Sequence, residues 1–401
     1  MTGKEILLRR LHNQGLLGGG GLRDSGVGAG GGGVRGAPDA AEKRHGTIED
    51  LVRWMGCIQA QDFGQAKWAI GVRGRAVTEA NVDAAFNDGR ILRTHVLRPT
   101  WHFVLPTDIR WMLRLTAPRI RQFCQPYHRK MGIDAAVLRR SRKVLEKELG
   151  GGVPLTRVEI AQLFRRSRIN TDDIRMNFLL IDAELEGLIC SGPRRGKQFT
   201  YTLLEERAQG AGLLPPDEAL AELAVRYFRS RGPATLADLA WWSGLTITQA
   251  KRGLEMVKGG LELVVMDGEE YWVEDSPGRG GAGGGVAQER HAGARSLGGG
   301  AIAPPVLLLP AFDEYLVAYK DRTHVLPSEY VKESSYGLKP VVVVNGRVAG
   351  CWKRIVEKDS VSVEVKAFGG LSKKVWATVK KEARRYAVFA GGGLAFFPGS
   401  R

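Results

Sequence analysis

The chain has 401 residues, enough for about two to four domains with real cores, and its 43% apolar and 25% charged residues are those of a folded protein, not a disordered or fibrous one. Lysine and arginine outnumber aspartate and glutamate 59 to 43, a formal charge of +16 spread along the chain, which points to a polyanion partner and first of all to nucleic acid. The four cysteines, Cys57, Cys124, Cys190 and Cys351, form no CxxC or Cys/His cluster, and no apolar run reaches spanning length; neither a disulfide framework nor a structural zinc site is expected, and an intracellular, reducing compartment is.

The N-terminal MTGKEILLRRLHNQGLL interleaves charges with leucines, so it lacks a signal-peptide core. Its spacing predicts an amphipathic helix with Ile6, Leu7 and Leu11 inward and Arg9 and Arg10 outward. Gly18–Pro38 is glycine-rich and reads as a flexible loop without a GxxxxGK[ST] phosphate cradle. Thr47 then caps a helix carrying Ile48, Leu51, Val52 and Met55 on one face. Gly56 follows, which places Gln59-Ala60-Gln61 at or beyond the helix end. Next, TEANVDAAFNDGRILRTHVLRPTWHFV predicts a helix, a turn and a strand bearing Thr100, His102 and Val104, and PTDIRWMLRLTAPRIRQFC resumes helix.

Between 154 and 204 the pattern sharpens. Thr156 and Glu159 make a capping box, a second helix follows the connector RINTDD, and CSGPRRGKQFTYTLL reads strand, turn, strand. Helix, turn, helix and hairpin is the order of a winged helix, with Arg194, Arg195, Gly196 and Lys197 at the wing tip. The segment 217–273 repeats that order, with Thr235 as a cap, TITQAKRGLEMV in the recognition-helix slot and an Asp-Gly hairpin turn. Ser276–Gly300 is a second glycine-rich stretch, a linker. The last hundred residues are rich in β segments, PPVLLLPAFDEYLVAY among them, and close on an amphipathic helix.

Tandem winged helices with excess positive charge predict nucleic-acid binding, and the wing turn PRRGKQ concentrates three cations for phosphate contact. Asp313, Glu314 and Asp321 near Lys320 and Arg322 read as structural ion pairs, since no histidine joins them.

Five stretches in order, GCIQAQDFGQAKWAI, RTHVLRPTWHFVLPTDIRWML, GLICSGPRRGKQFTYTLL, GPATLADLAWWSGLT and LLPAFDEYLVAYKDR, resemble the winged-helix alkyl-DNA glycosylases of the AlkZ and YcaQ type. The resemblance covers most of the chain outside the two glycine-rich tracts. It implies an α+β fold: tandem winged-helix domains followed by a β-rich C-terminal domain. The units would span 1–130 (interrupted by the tract 18–38), 150–206 and 215–275, then the linker 276–300 and the C-terminal domain 301–401. The implied activity is release of N7-alkylated purines from double-stranded DNA, including crosslinked guanines, by a monomer needing no cofactor, no metal and no conventional base flipping. That family's catalytic element is a Gln-Φ-Gln or Gln-Φ-Asp motif, which assigns Gln59 and Gln61 here. Asp62 is the second-ranked candidate as a water-activating base. Arg98, Thr100 and His102, within RPTWHFV, are candidate contacts to DNA, with a buried structural histidine as the other reading of His102, and Arg194, Arg195 and Lys197 are the wing contacts.

The chemistry suits amides. A purine alkylated at N7 is cationic and leaves readily, so the oxocarbenium-like sugar needs partial negative charge and a placed water more than a strong base. The rival reading is a non-enzymatic winged-helix regulator, which would ordinarily dimerise on a palindrome. An RNA-binding reading lacks RNP-like aromatics and a GXXG loop.

Overall fold

The computed structural model describes residues 2–17, 46–172, 174–274, 305–331, 338–356 and 360–398. The tracts Gly18–Pro38 and Ser276–Gly300, expected as a loop and a linker, lie outside the described residues.

Helix α1 (Gly3–Asn13) opens with a capping box between Thr2 and Glu5. Ile6, Leu7 and Leu11 are buried as the spacing requires, but so is Arg10, which was expected to face outward. Its Nε donates to the Pro233 carbonyl at 2.8 Å and its guanidinium lies 3.8 Å above the Tyr319 ring, partners more than two hundred residues away that helical periodicity cannot see. Helix α2 (Ile48–Met55) is capped by Thr47 and ended by Gly56, whose φ of 71° is the conformation that favours glycine.

A short strand β1 (Ile58–Gln59) leads into α3 (Phe63–Gly71) and α4 (Glu79–Asn87), followed by β2 (Leu92–His95) and β3 (Trp101–Val104). The sequence suggested one strand here; the structure has a hairpin, because Leu97 takes a left-handed φ of 64° just ahead of Pro99. The sheet order is β1-β3-β2. Helix α5 (Ile109–Met131) then runs to α6 (Ala135–Leu149), β4 (Leu155–Thr156), α7 (Arg157–Arg166), α8 (Arg175–Leu185), β5 (Ile189–Ser191), β6 (Thr200–Leu203) and the single turn α9 (Leu204–Arg207). Their sheet has the same order, β4-β6-β5. Next come α10 (Pro216–Arg231), α11 (Leu236–Ser243), α12 (Ile247–Val257), β7 (Leu261–Met266) and β8 (Glu269–Glu274). Here Ala234 alone bridges Trp272 of β8, in the place of the short first strand. The β7–β8 turn carries Asp267 and Gly268 at φ 53° and 81°, the paired left-handed residues of a tight hairpin.

Among the described residues the chain therefore repeats one plan three times: a helix, a very short strand, two helices, and a hairpin whose second strand pairs with the short one. Each time the short strand turns directly into a helix whose N-cap is a side-chain oxygen, from Asp62, Thr156 and Thr235. The glutamine pair occupies this strand-to-helix corner in the first unit. Helix α6 packs on α7 and α8, so the second unit's opening helix lies upstream of residue 150.

The C-terminal part is a five-stranded sheet in the order β13-β12-β11-β10-β9, built from β9 (Val306–Leu309), β10 (Val341–Val344), β11 (Arg347–Val356), β12 (Ser360–Ala367) and β13 (Gly393–Pro398). Among the described residues of this sheet, β12 and β13 alone pair in parallel. The stretch read as continuous β after residue 305 breaks at Pro310 into a helical turn, α13 (Glu314–Val317), because the Asp313 side chain accepts from the Tyr315 N–H and caps it. A second turn, α14 (Ser328–Val331), precedes β10, and α15 (Lys373–Phe389) covers the sheet.

Among the described residues, two large cores and a small cluster of Ile6, Met266 and Tyr271 organise the molecule. One runs beneath the second and third units through Phe164, Leu179, Tyr227 and Trp242. The other fuses the first unit to the C-terminal sheet through Trp68, Phe86, Phe103 and Val341–Val343. Each such buried side chain contributes roughly 1.5–3 kcal/mol relative to exposure. Trp68 Nε1 donates to the Leu308 carbonyl at 2.6 Å. A Cβ at Gly71 would come within 2.5 Å of Phe389, so glycine is what lets α3 and α15 touch. The first unit is thus clamped onto the sheet, and its glutamine corner has a rigid back. Among the described residues no helix is long and apolar enough to cross a membrane.

Candidate active site

Gln59 is the last residue of β1, paired across the sheet with His102, and the Ala60 N–H donates to the Trp101 carbonyl at 2.7 Å. Gln59 Oε1 accepts the Gln61 backbone N–H at 3.2 Å, and Gln61 Oε1 accepts the Trp101 backbone N–H at 3.3 Å. The two carboxamides are therefore oriented by main chain, each through its oxygen. Gln59 is 6% exposed, whereas Gln61 is open to solvent.

The backbone beneath them is braced from both sides. Arg93 on β2 donates to the carbonyls of Ala60 at 2.9 Å and Gln61 at 3.3 Å. Its guanidinium stacks 4.2 Å from the Trp101 ring and 4.9 Å from Phe199, and burial lowers its pKa to about 10. On the other side Glu314, fully buried, accepts the Gln59 N–H at 2.9 Å. Its second oxygen takes Arg231 at 2.6 Å and Trp242 Nε1 at 3.0 Å. Burial alone would raise the Glu314 pKa, but Arg231, His102 and these hydrogen bonds outweigh it, and the net shift is downward. Asp313 is paired with Arg73 at 2.8 Å. Asp313 and Glu314 thus form the expected ion pairs, with partners far away in sequence instead of Lys320 and Arg322, whereas Asp321 accepts the Thr323 N–H and hydroxyl and forms no ion pair among the described residues.

Gln61 and Asp62 stand on the rim of an open cleft of about 530 Å³ lined also by Phe63, Lys67, Arg194 and Arg354. Asp62 caps α3 by accepting the Gln65 N–H at 3.1 Å. Lys67 is neutralised by Glu79 and Asp83 at 2.6 and 2.9 Å. Arg194 reaches in from the wing of the second unit, its guanidinium 5.2 and 5.3 Å from the rings of Phe63 and Phe199.

The remaining sequence candidates separate. Arg195 is exposed but held by Glu159 at 2.7 Å and the Pro154 carbonyl at 2.7 Å, while Lys197 is exposed with no ion pair among the described residues. Arg98 and Thr100 are half-buried in the β2–β3 turn. His102 is fully buried and out of reach of a phosphate. Its Nδ1 donates to the Thr100 carbonyl at 2.9 Å, and burial, with Arg98 nearby, lowers its pKa to about 3. Of the two readings of His102, the structural one fits. Sequence reasoning passed over Arg93, Arg231 and Trp242. A charged residue inside the apolar strand ILRTHV was the available signal for Arg93; Arg231 sits in an ordinary helix end and gave none.

The arrangement offers two oriented amides beside a cleft with an arginine and aromatic rings, which suits stabilising positive charge on a sugar. The family model for AlkZ-like DNA glycosylases matches residues 52–389. A curated interstrand DNA cross-link repair glycosylase from Streptomyces sahachiroi is 28% identical over 359 residues, covering 86% of this chain and 91% of that protein. The solved structure of the Streptomyces sahachiroi DNA glycosylase AlkZ superposes with a TM-score of 0.72 at 22% identity, covering 99% of this chain and all of the other, which speaks to a shared fold.

Proposed function

Because the chain belongs to the AlkZ-like DNA glycosylase family, we propose that it hydrolyses the N-glycosidic bond of N7-alkylated purines in double-stranded DNA, with Gln59 and Gln61 as its catalytic pair. The observation carrying this reading is the double orientation of the amides: Gln59 Oε1 on the Gln61 N–H, and Gln61 Oε1 on the Trp101 N–H, at the edge of the cleft. Each amide oxygen has two lone pairs and has committed one. The second points negative charge at the sugar or holds the attacking water.

Such dipoles act without reorganising during the reaction, which is where electrostatic catalysis gains most. A cationic base needs no proton to depart, so the absence of a strong general base at positions 59 and 61 is chemically affordable. Gln61 faces the cleft directly and Gln59 stands behind it. Arg194 and Lys197 contact the backbone from the wing. The enzyme acts as a monomer, and in an intracellular compartment, in keeping with the buried thiols of Cys57, Cys124 and Cys190. Removal of crosslinked guanines is part of the same proposal, supported by the likeness to the Streptomyces interstrand DNA cross-link repair glycosylase.

Incubation with a duplex containing N7-methylguanine, followed by alkali, tests it. Strand scission at the lesion is expected. Tight binding without abasic sites would replace this reading with the non-enzymatic one.

A further inference from the structure

Two half-buried arginines, Arg98 in the turn next to the glutamine corner and Arg322 after α13, form no ion pair among the described residues. Arg98 follows the left-handed Leu97, and its main chain is locked by Arg98 N–H to Val96 carbonyl at 2.8 Å and Thr100 N–H to Arg98 carbonyl at 2.7 Å. Its stem packs on the end of α11, where a Cβ at Gly244 would meet Arg98 Cγ at 3.4 Å. The same helix holds the 317–322 segment, through Trp241 Nε1 to the Val317 carbonyl at 3.1 Å and the Lys320 N–H to Asp238 at 2.8 Å. That segment delivers Arg322. Among the described residues neither Arg98 nor Arg322 forms a salt bridge. The Nε of each, and the Oγ1 of Thr100, are buried with no hydrogen-bond partner.

Burial first, and then Arg98, pushes the Arg322 pKa down; at Arg98 burial dominates and the buried Glu314 carboxylate works the other way. Desolvating two unpaired guanidiniums side by side costs stability. The buried arginines Arg73, Arg93 and Arg231 each have a designated acceptor: Asp313, the Ala60 carbonyl and Glu314. Two guanidiniums without an acid between them suit an anion taken by two forks at once.

We propose that Arg98, Arg322 and Thr100 Oγ1 seat one phosphate of the DNA backbone, the linkage beside the target nucleotide. The register follows from chain connectivity: Arg98 lies three residues before Trp101, whose N–H holds Gln61. This register rests on the glutamine pair being the active site; the phosphate binding does not. The seat would fix the damaged strand against the same turn that orients Gln61, coupling grip to catalysis.

The test measures binding to undamaged duplex across a salt series for Arg322→Met, Arg98→Met and Arg322→Lys. Each Met variant should bind about tenfold more weakly at low salt and lose roughly 0.9 from the salt slope, with Lys partly restoring both. Melting temperature should hold or rise in the Met variants, since a repulsive pair has been relieved. A fall in melting temperature with an unchanged salt slope would show the arginines to be structural and overturn the proposal. A single neutral methylphosphonate, moved along the strand, should weaken the wild type most at one linkage next to the lesion and leave Arg322→Met indifferent there. Equal sensitivity of both proteins at every linkage also overturns it. A phosphate effect without base release would instead count against the glycosidic reading and leave this one standing.

Discussion

The Gln59 backbone N–H donates to Glu314 Oε1 at 2.9 Å, tying the glutamine corner to a carboxylate whose other oxygen is held by Arg231 and Trp242. One buried anion therefore joins the first unit, the third unit and the C-terminal region. Glu314→Ala should cost about 3–5 kcal/mol in urea unfolding, because Arg231 is left buried without its counterion. Glu314→Gln retains an acceptor for the Gln59 N–H, so it should cost less and keep DNA binding while slowing base release. The Glu314 pKa lies below its ordinary value near 4.5, so this stabilisation is present above that value and lost as pH falls through the folded-state pKa. An acid limb in stability that persists unchanged in Glu314→Gln would dissociate it from this carboxylate.

Gln59→Ala and Gln61→Ala should each lower the single-turnover rate of base release by about 10²–10³, with affinity for undamaged DNA unaltered. Because Gln59 orients the Gln61 N–H, the two act as a unit, and the double variant should be little slower than the worse single one. Full activity in both single variants would remove the pair from the reaction.

Much of this corner was legible in the sequence. Thr47 and Gly56 bracket α2 by ordinary capping chemistry, and that alone put the glutamines just past a helix end. The second unit was legible for a similar reason: the Thr156–Glu159 capping box and the Gly196 turn are local signals. The first unit was not, because its hairpin turns on a left-handed Leu97, a conformation that the residue type does not announce. Nor was the support of the site. The Gln59–Glu314 hydrogen bond spans 255 residues and the Arg231–Glu314 pair spans 83, and no local pattern encodes such pairings. Arg10 shows the same limit: its position on the helix says outward, and Pro233 and Tyr319 pull it in.

His102 gives a pH signature of its own. Its pKa falls from 6.5 to about 3 in the folded chain, chiefly through burial and then through Arg98. The unfolded chain takes up the proton first, so stability is complete above about 6.5 and is lost as pH drops towards 3. The steepest loss from this one group is about 1.4 kcal/mol per pH unit. His102→Gln should flatten that limb in a series of denaturant melts between pH 6.5 and 4; an unaltered slope would mean the imidazole titrates normally.

On the wing, Lys197 and Arg195 should behave differently despite their adjacency. Lys197 is exposed and unpaired among the described residues, whereas Arg195 is bound to Glu159. Lys197→Ala should weaken binding to all duplexes and lower the salt slope by about 1. Arg195→Ala should move the slope less, since that guanidinium must leave an acid before reaching a phosphate. Equal slopes for the two variants would show the Arg195–Glu159 pair to open freely on DNA.

Asp62 separates capping from catalysis in one comparison. Its side chain accepts the Gln65 N–H at 3.1 Å as the N-cap of α3, and it also lines the cleft next to Gln61. Asparagine caps a helix about as well as aspartate, whereas alanine costs about 0.5–2 kcal/mol. If Asp62 only caps, Asp62→Asn should melt and release base like the parent, and Asp62→Ala should lose stability first and activity only through it. If Asp62 activates the water, Asp62→Asn should fold normally and release base at least a hundredfold more slowly, roughly what a lost general base costs. The oriented amides favour the first outcome, since they already supply negative potential and a place for water at a bond that a cationic base is poised to leave. Single-turnover assays on both variants, beside their melting curves, decide between the two.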